Sequence, residues 1–160
     1  MNSTPVALNP LEPGQRWVML ILNAIPSLML AAGGFWLGKL LEDQLGWPWW
    51  PPFVILGLIA LWGGTGAPLR RFRAWGWALA DDELHVASGV WTQVHTIVPL
   101  TRVQHIDVAQ GPLQRAFGVA TLIVHTAGTA HATVSLPGIS RATAEELRDV
   151  VRTHVRAEPW

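Results

Sequence analysis

The sequence predicts a two-helix transmembrane hairpin followed by one α+β, mainly β domain, a small barrel or sandwich of six to seven strands with a single C-terminal capping helix. Three observations carry this. Between Trp17 and Leu69 the only charged residues are Lys39, Glu42 and Asp43. From Ala74 the apolar residues alternate with period two, the mark of half-buried strands. After Ser140 the spacing becomes helical.

Composition sets the outer bounds. The chain has 160 residues, half of them hydrophobic and 14% charged, where ordinary soluble domains carry roughly 25% charge. The deficit is concentrated before residue 70, so the chain divides there into a membrane part and a mixed, globular part. Zero net charge points to no polyanionic partner. With no cysteine, disulfides, thiolate zinc sites and cysteine nucleophiles are excluded.

Residues 1–16 read as a cytoplasmic tail and residues 17–38 as the first membrane helix. At 1.5 Å per residue this uncharged run suffices for a hydrocarbon core of about 30 Å. Pro26 is tolerated inside a membrane helix, and Trp17 and Trp36 suit its two interfaces. The run exceeds the apolar stretch of a signal peptide, and a second span follows at once. Residues 39–49 form an external hairpin ending in a Trp-rich belt of Trp47, Trp49 and Trp50, and residues 50–69 the second helix. Gly57, Gly63, Gly64 and Gly66 are small enough for close packing on the first helix. Arg70, Arg71 and Arg73 follow the second helix and Arg16 precedes the first, whereas the hairpin's single Lys39 is outweighed by Glu42 and Asp43. The positive-inside rule then puts both termini in the cytoplasm. The same Arg cluster is a candidate contact for anionic headgroups.

Residues 70–160 are the globular domain. Trp75, Trp77 and Leu79 share a strand face, Asp81-Asp82 turns, and Leu84 and Val86 continue to Gly89. Val90, Thr92, Val94, Thr96 and Val98 make one side of the next strand, which Pro99 ends. Parity breaks between Val103 and Ile106, predicting a bulge near Gln104-His105. Leu122 and Val124 follow Gly118, Thr126-Ala127-Gly128 leads into a turn, and Ala132, Val134 and Leu136 make the last strand, stopped by Pro137-Gly138. Ser140 is the expected N-cap of a helix whose Leu147, Val150, Val151 and Val155 share a face. Arg148, Arg152 and Arg156 form a basic stripe, with Glu145–Arg148 and Asp149–Arg152 spaced for ion pairs.

The segment from Pro99 to Gly128 then resembles the bacterial pleckstrin-homology (PH) domain family often called YdbS-like. The matching residues are Pro99, Arg102-Val103-Gln104, Gln110-Gly111-Pro112, Arg115-Ala116-Phe117-Gly118 and Thr126-Ala127-Gly128. The resemblance implies a PH-like fold, no known catalysis, and a possible larger membrane relative with several such domains, or self-association, as partner. Physically the signature reads mainly as structure: Gly111 and Gly118 at turns, Pro112 opening a short helix, Leu113 and Phe117 toward the core. Arg102, Gln104 and Arg115 are expected to bond loop carbonyls and Asp107, with contact to a ligand or partner as the alternative.

Sharper functions find little support in the residues. The first hairpin, Asp81-Asp82-Glu83, is acidic, and from Ala74 onward six Arg face eight Asp or Glu, which disfavours phosphoinositides and nucleic acid. His85, His95, His105, His125, His131 and His154 lack metal-site spacing, so no metal or cofactor is expected; odd-numbered strand histidines could still converge across a sheet. No phosphate loop, nucleophile elbow or supported carboxylate pair appears, and the membrane helices carry no charge to line a pore. The expectation is a non-enzymatic, multi-pass protein of the bacterial cytoplasmic (inner) membrane. Its domain serves as an interaction or assembly module, or alternatively contacts lipid.

Overall fold

The computed structural model describes residues 6–80, 82–127 and 133–157, with side chains of the last helix up to Thr153. Two units emerge: Arg16–Arg70, and the residues up to Gln15 together with the chain from Arg71 onward.

The uncharged runs become helices. Helix α1 (Pro13–Leu45) carries Pro26 internally. Helix α2 (Trp50–Leu61) starts on a proline pair and passes through a π-helical turn, Trp62–Gly66, into α3 (Ala67–Arg73). Trp50–Arg73 is thus one path of 24 residues, and both it and α1 are long and apolar enough to cross a membrane. Close approach is set by small residues, but not mainly those expected. An added Cβ on Gly34 would lie 2.9 Å from Leu56 Cβ and 3.1 Å from the Pro52 carbonyl, and one on Gly38 would collide with the Trp49 carbonyl. Of the four expected glycines only Gly64 is tight against the first helix, at Ser27; Gly57 faces open space, Gly63 has ordinary clearance, and Gly66 is tight only against the Trp62 ring on its own helical path. Phe35 makes edge contacts with Trp49 and Phe53 at centroid distances of 5.9 and 6.2 Å near the hairpin end, and Trp49 and Phe53 meet at a tilt, 6.0 Å apart.

The second unit holds seven strands in two sheets. The first sheet has the order β1 (Asn9–Pro10), β2 (Gly76–Ala80), β3 (Glu83–Ser88), β4 (Val94–Pro99), all antiparallel. The second has β5 (Val103–Ala109), β6 (Val119–Thr126) and β7 (Thr133–Ser140). Helix α4 (Pro112–Ala116) links β5 to β6, and α5 (Arg141–Ala157) follows β7. Leu84, Val86 and Val98 from the first sheet, Leu122, Val124 and Leu136 from the second, and Ala144, Leu147 and Val151 from α5 are all buried.

The segment treated as a tail supplies β1: Asn9 pairs with Trp77 and Pro10 with Gly76. It is fastened further along. Leu11 is buried, the Glu12 N–H donates to the Gly138 carbonyl at 2.8 Å, and Gly14 packs so closely on the Phe117 carbonyl that a side chain there would collide. The domain is therefore discontinuous in sequence, with the helical hairpin inserted between its first and second strands.

Two boundaries and one set of ion pairs differ from the periodic reading. β4 begins at Val94, so Val90 and Trp91 sit in the β3–β4 turn instead of a strand. β7 runs through Pro137 and Gly138: Thr121 faces Pro137 while Ala120 faces Ile139, which leaves Gly138 (φ +75°) as the extra residue of a bulge on an edge strand. Among the described residues the ion pairs on α5 are Arg141–Glu145 at 2.8 Å and Arg148–Asp149 at 3.0 Å, not the predicted i, i+3 pairs. The predicted bulge near Gln104-His105 is present as a register shift between Val103 and His105. Ser140 caps α5, its Oγ accepting the Thr143 N–H at 3.0 Å.

Candidate functional site

The signature residues form a structural frame. Pro99 ends β4, and the buried Leu100 donates its N–H to the Asp82 carbonyl at 2.9 Å. Gly111 is the N-cap of α4 with extended backbone, Pro112 is its first residue, and the Gln114 side chain accepts the Gly111 N–H at 3.0 Å. Gly118 has φ +68°, a conformation natural to glycine. Gln110 donates to the Val119 carbonyl at 2.9 Å and Gln114 to Thr121 Oγ1 at 2.8 Å. Gln114 was not singled out by the sequence. Phe117 is 36% exposed and so is not the core residue expected; its carbonyl instead abuts Gly14. Gly128 lies outside the described residues.

Arg102, Gln104 and Arg115 are exposed, and their side chains make no hydrogen bond or ion pair among the described residues. The Arg102 main-chain carbonyl accepts the Ala127 N–H at 3.0 Å. Asp107, expected to engage this group, faces His105 and His125 instead. Gln104 lines an open groove of about 270 Å³ between β5 and α5, with His105, Arg148 and Arg152 at its rim and Val103 and Val151 at its base.

Arg70, Arg71 and Arg73 are exposed on α3, with no acidic partner among the described residues. Arg70 lies over the Trp62 ring at 5.1 Å, a cation–π contact of the order of 0.5–1 kcal/mol when exposed.

β4 and the turn before it present an open surface. β4 pairs with β3 and with no other strand among the described residues. Its sequence, VHTIVP, has no Lys, Arg, Asp or Glu, and Val94 and Ile97 are 52% and 48% exposed. The other long edges are protected: β7 by its proline and bulge, β5 by its own bulge and the neighbouring α5. At the preceding turn Trp91 is 92% exposed. Ala87 lies opposite Gly76, so this turn projects from the end of the sheet at which the chain arrives from Arg73.

The histidines fall into two groups among the described residues. His85 is buried and its ring lies 5.4 Å from that of His95. His105 and His125 stack at 4.1 Å on adjacent strands, with Asp107 beside both.

The family model described as the bacterial PH domain matches residues 20–155. The chain is 35% identical over 136 residues to the transmembrane protein YdbS of Bacillus subtilis (strain 168), covering 82% of this chain and 80% of that one. It is 25% identical over 99 residues to the transmembrane protein YdbT of the same organism, covering 61% of this chain and 20% of that longer protein. No solved structure matches.

Proposed function

This chain belongs to the bacterial PH domain family and is a membrane protein with a PH-like module; from that premise we propose that the module is a non-enzymatic assembly domain. Its β4 edge takes up a strand from another PH-like chain, either a second copy or a longer relative. The observation that carries the reading is the uncharged, half-exposed edge of β4 beside edges that are protected. An open edge offers a row of main-chain donors and acceptors for strand addition, and alternate side chains such as Val94 and Ile97 supply selectivity.

In this proposal residues 17–38 and 50–69 cross the cytoplasmic membrane, residues 39–49 are external, and both termini are cytoplasmic. Pairing of β1 with β2 supports an even number of crossings, because the two strands flank the helices in sequence and meet in one sheet. The three exposed arginines supply the orienting charge.

A second reading, contact with lipid, is favoured by Trp91, since an almost fully exposed indole on the turn nearest the Arg73 end suits a membrane interface. One experiment addresses both readings. A photocrosslinking residue is placed at Ile97 or at Trp91 in the full chain and irradiated in intact membranes. Ile97 should give an adduct with a second copy or with a longer PH-like chain, and Trp91 an adduct with phospholipid. Absence of such a protein adduct from Ile97 would sink the assembly reading. Lipid-free Trp91 would sink the second.

A further inference from the structure

We propose that His105, Asp107 and His125 form a binding site for a divalent late first-row cation, with Zn²⁺ the reference ion, on the outer face of the second sheet. Asp107 Oδ2 lies 3.3 Å from His125 Nε2 and 3.7 Å from His105 Nε2. The three candidate donor atoms all fall within 4.8 Å of one another. With zinc bonds of about 2.0–2.2 Å, the edge of a tetrahedron is about 3.4 Å. The carboxylate is thus already near ligand spacing from each imidazole, and small χ2 rotations of two partly exposed rings bring the nitrogens to bear. Two neutral imidazoles and one carboxylate form a borderline-soft donor set that suits Zn²⁺, Ni²⁺ or Cu²⁺ over Mg²⁺ or Ca²⁺.

Two independent features build the site. The first is the bulge. Val103 faces Thr126, yet His105 faces His125, and the register shifts between them. Without that extra residue the register set by Val103 would bring Gln104 opposite His125 and remove the pair. Bulges re-aim side chains in this way next to functional sites. The second is an outer partner. Thr133 Oγ1 lies 3.3 Å from His125 Nδ1. With the Nδ1 proton directed at this hydroxyl, Nε2 keeps its lone pair on the side of Asp107, the arrangement by which outer groups fix the tautomer of a metal-binding histidine. Three protein ligands leave a fourth position for water or for a group from a partner.

The test uses the full-length, tag-free chain in detergent, titrated with Zn²⁺ alone against a competing chromophoric chelator and, separately, with Co²⁺ followed by its visible absorption. The wild type should take up one ion per chain with the strong visible bands of a tetrahedral centre. H105A and H125A should lose saturable binding, D107N should bind at least tenfold more weakly, and Thr133→Val should weaken binding about tenfold or more as loss of an outer partner does. H95A, which removes a histidine from the other sheet, should bind as the wild type does. Thermal midpoints of the metal-free variants should match the wild type; zinc should raise the midpoints of the wild type and H95A, raise those of D107N and Thr133→Val less, and leave H105A and H125A unchanged. No saturable binding by the wild type would overturn the proposal, as would binding that persists in H105A and H125A or is lost equally in H95A.

Discussion

At the scale of single residues, two glycines separate two physical causes. Gly118 has open space at its Cβ position but a φ of +68°, so its requirement is conformational. Gly14 sits at the start of α1, where an added methyl would meet the Phe117 carbonyl, so its requirement is room. Gly118→Val should cost at least about 1–2 kcal/mol, the price of a left-handed residue with a side chain. Gly14→Ala should loosen the whole N-terminal segment, because the backbone has to move to admit the methyl. Thermal denaturation of each variant in detergent measures both. An unchanged midpoint for Gly118→Val would remove the turn assignment, and one for Gly14→Ala would remove the close packing of that segment on the domain.

At the scale of elements, the helical hairpin rests on small residues facing backbone. Gly34→Leu, in contact with Pro52 and Leu56, should destabilise the helix pair by about 1–3 kcal/mol through overpacking. Gly57→Leu, with nothing near its Cβ position, should not. The order of thermal aggregation midpoints checks this, and equal midpoints would contradict it. Elements specified by their own local pattern were legible in the sequence: both apolar helices, β2 and β3, the parity break at the β5 bulge, and the Ser140 cap. Elements specified by distant partners were not. Asn9-Pro10 shows no alternation and becomes a strand through Trp77 and Gly76, which lie beyond both helices. Val90 and Thr92 alternate like strand residues, but the chain spends them on a turn. The candidate site divides the same way. Parity showed that odd-numbered histidines share faces, but the meeting of His105 with His125 depends on a register set by the bulge.

At the scale of the whole molecule, the exposed arginines at the end of the second helix are the proposed orientation signal. Changing Arg70, Arg71 and Arg73 together to Glu should send a substantial fraction of chains in with the wrong topology. The fraction is read as loss of activity of a C-terminal reporter that works only in the cytoplasm. A fully active reporter would show that the charges do not orient the chain.

The pairing of Asn9-Pro10 with Gly76-Trp77 also sets an order of events during synthesis. The first strand leaves the ribosome before either helix, but its partner emerges only after both. Its place in the sheet therefore waits until both helices have been synthesised and, in the proposed topology, the chain has come back to the same side. A chain whose second helix fails to cross would leave the two strands separated by the bilayer, with Leu11 unable to reach its buried place. In the proposed topology, completion of the sheet would thus couple a correctly threaded hairpin to a finished domain.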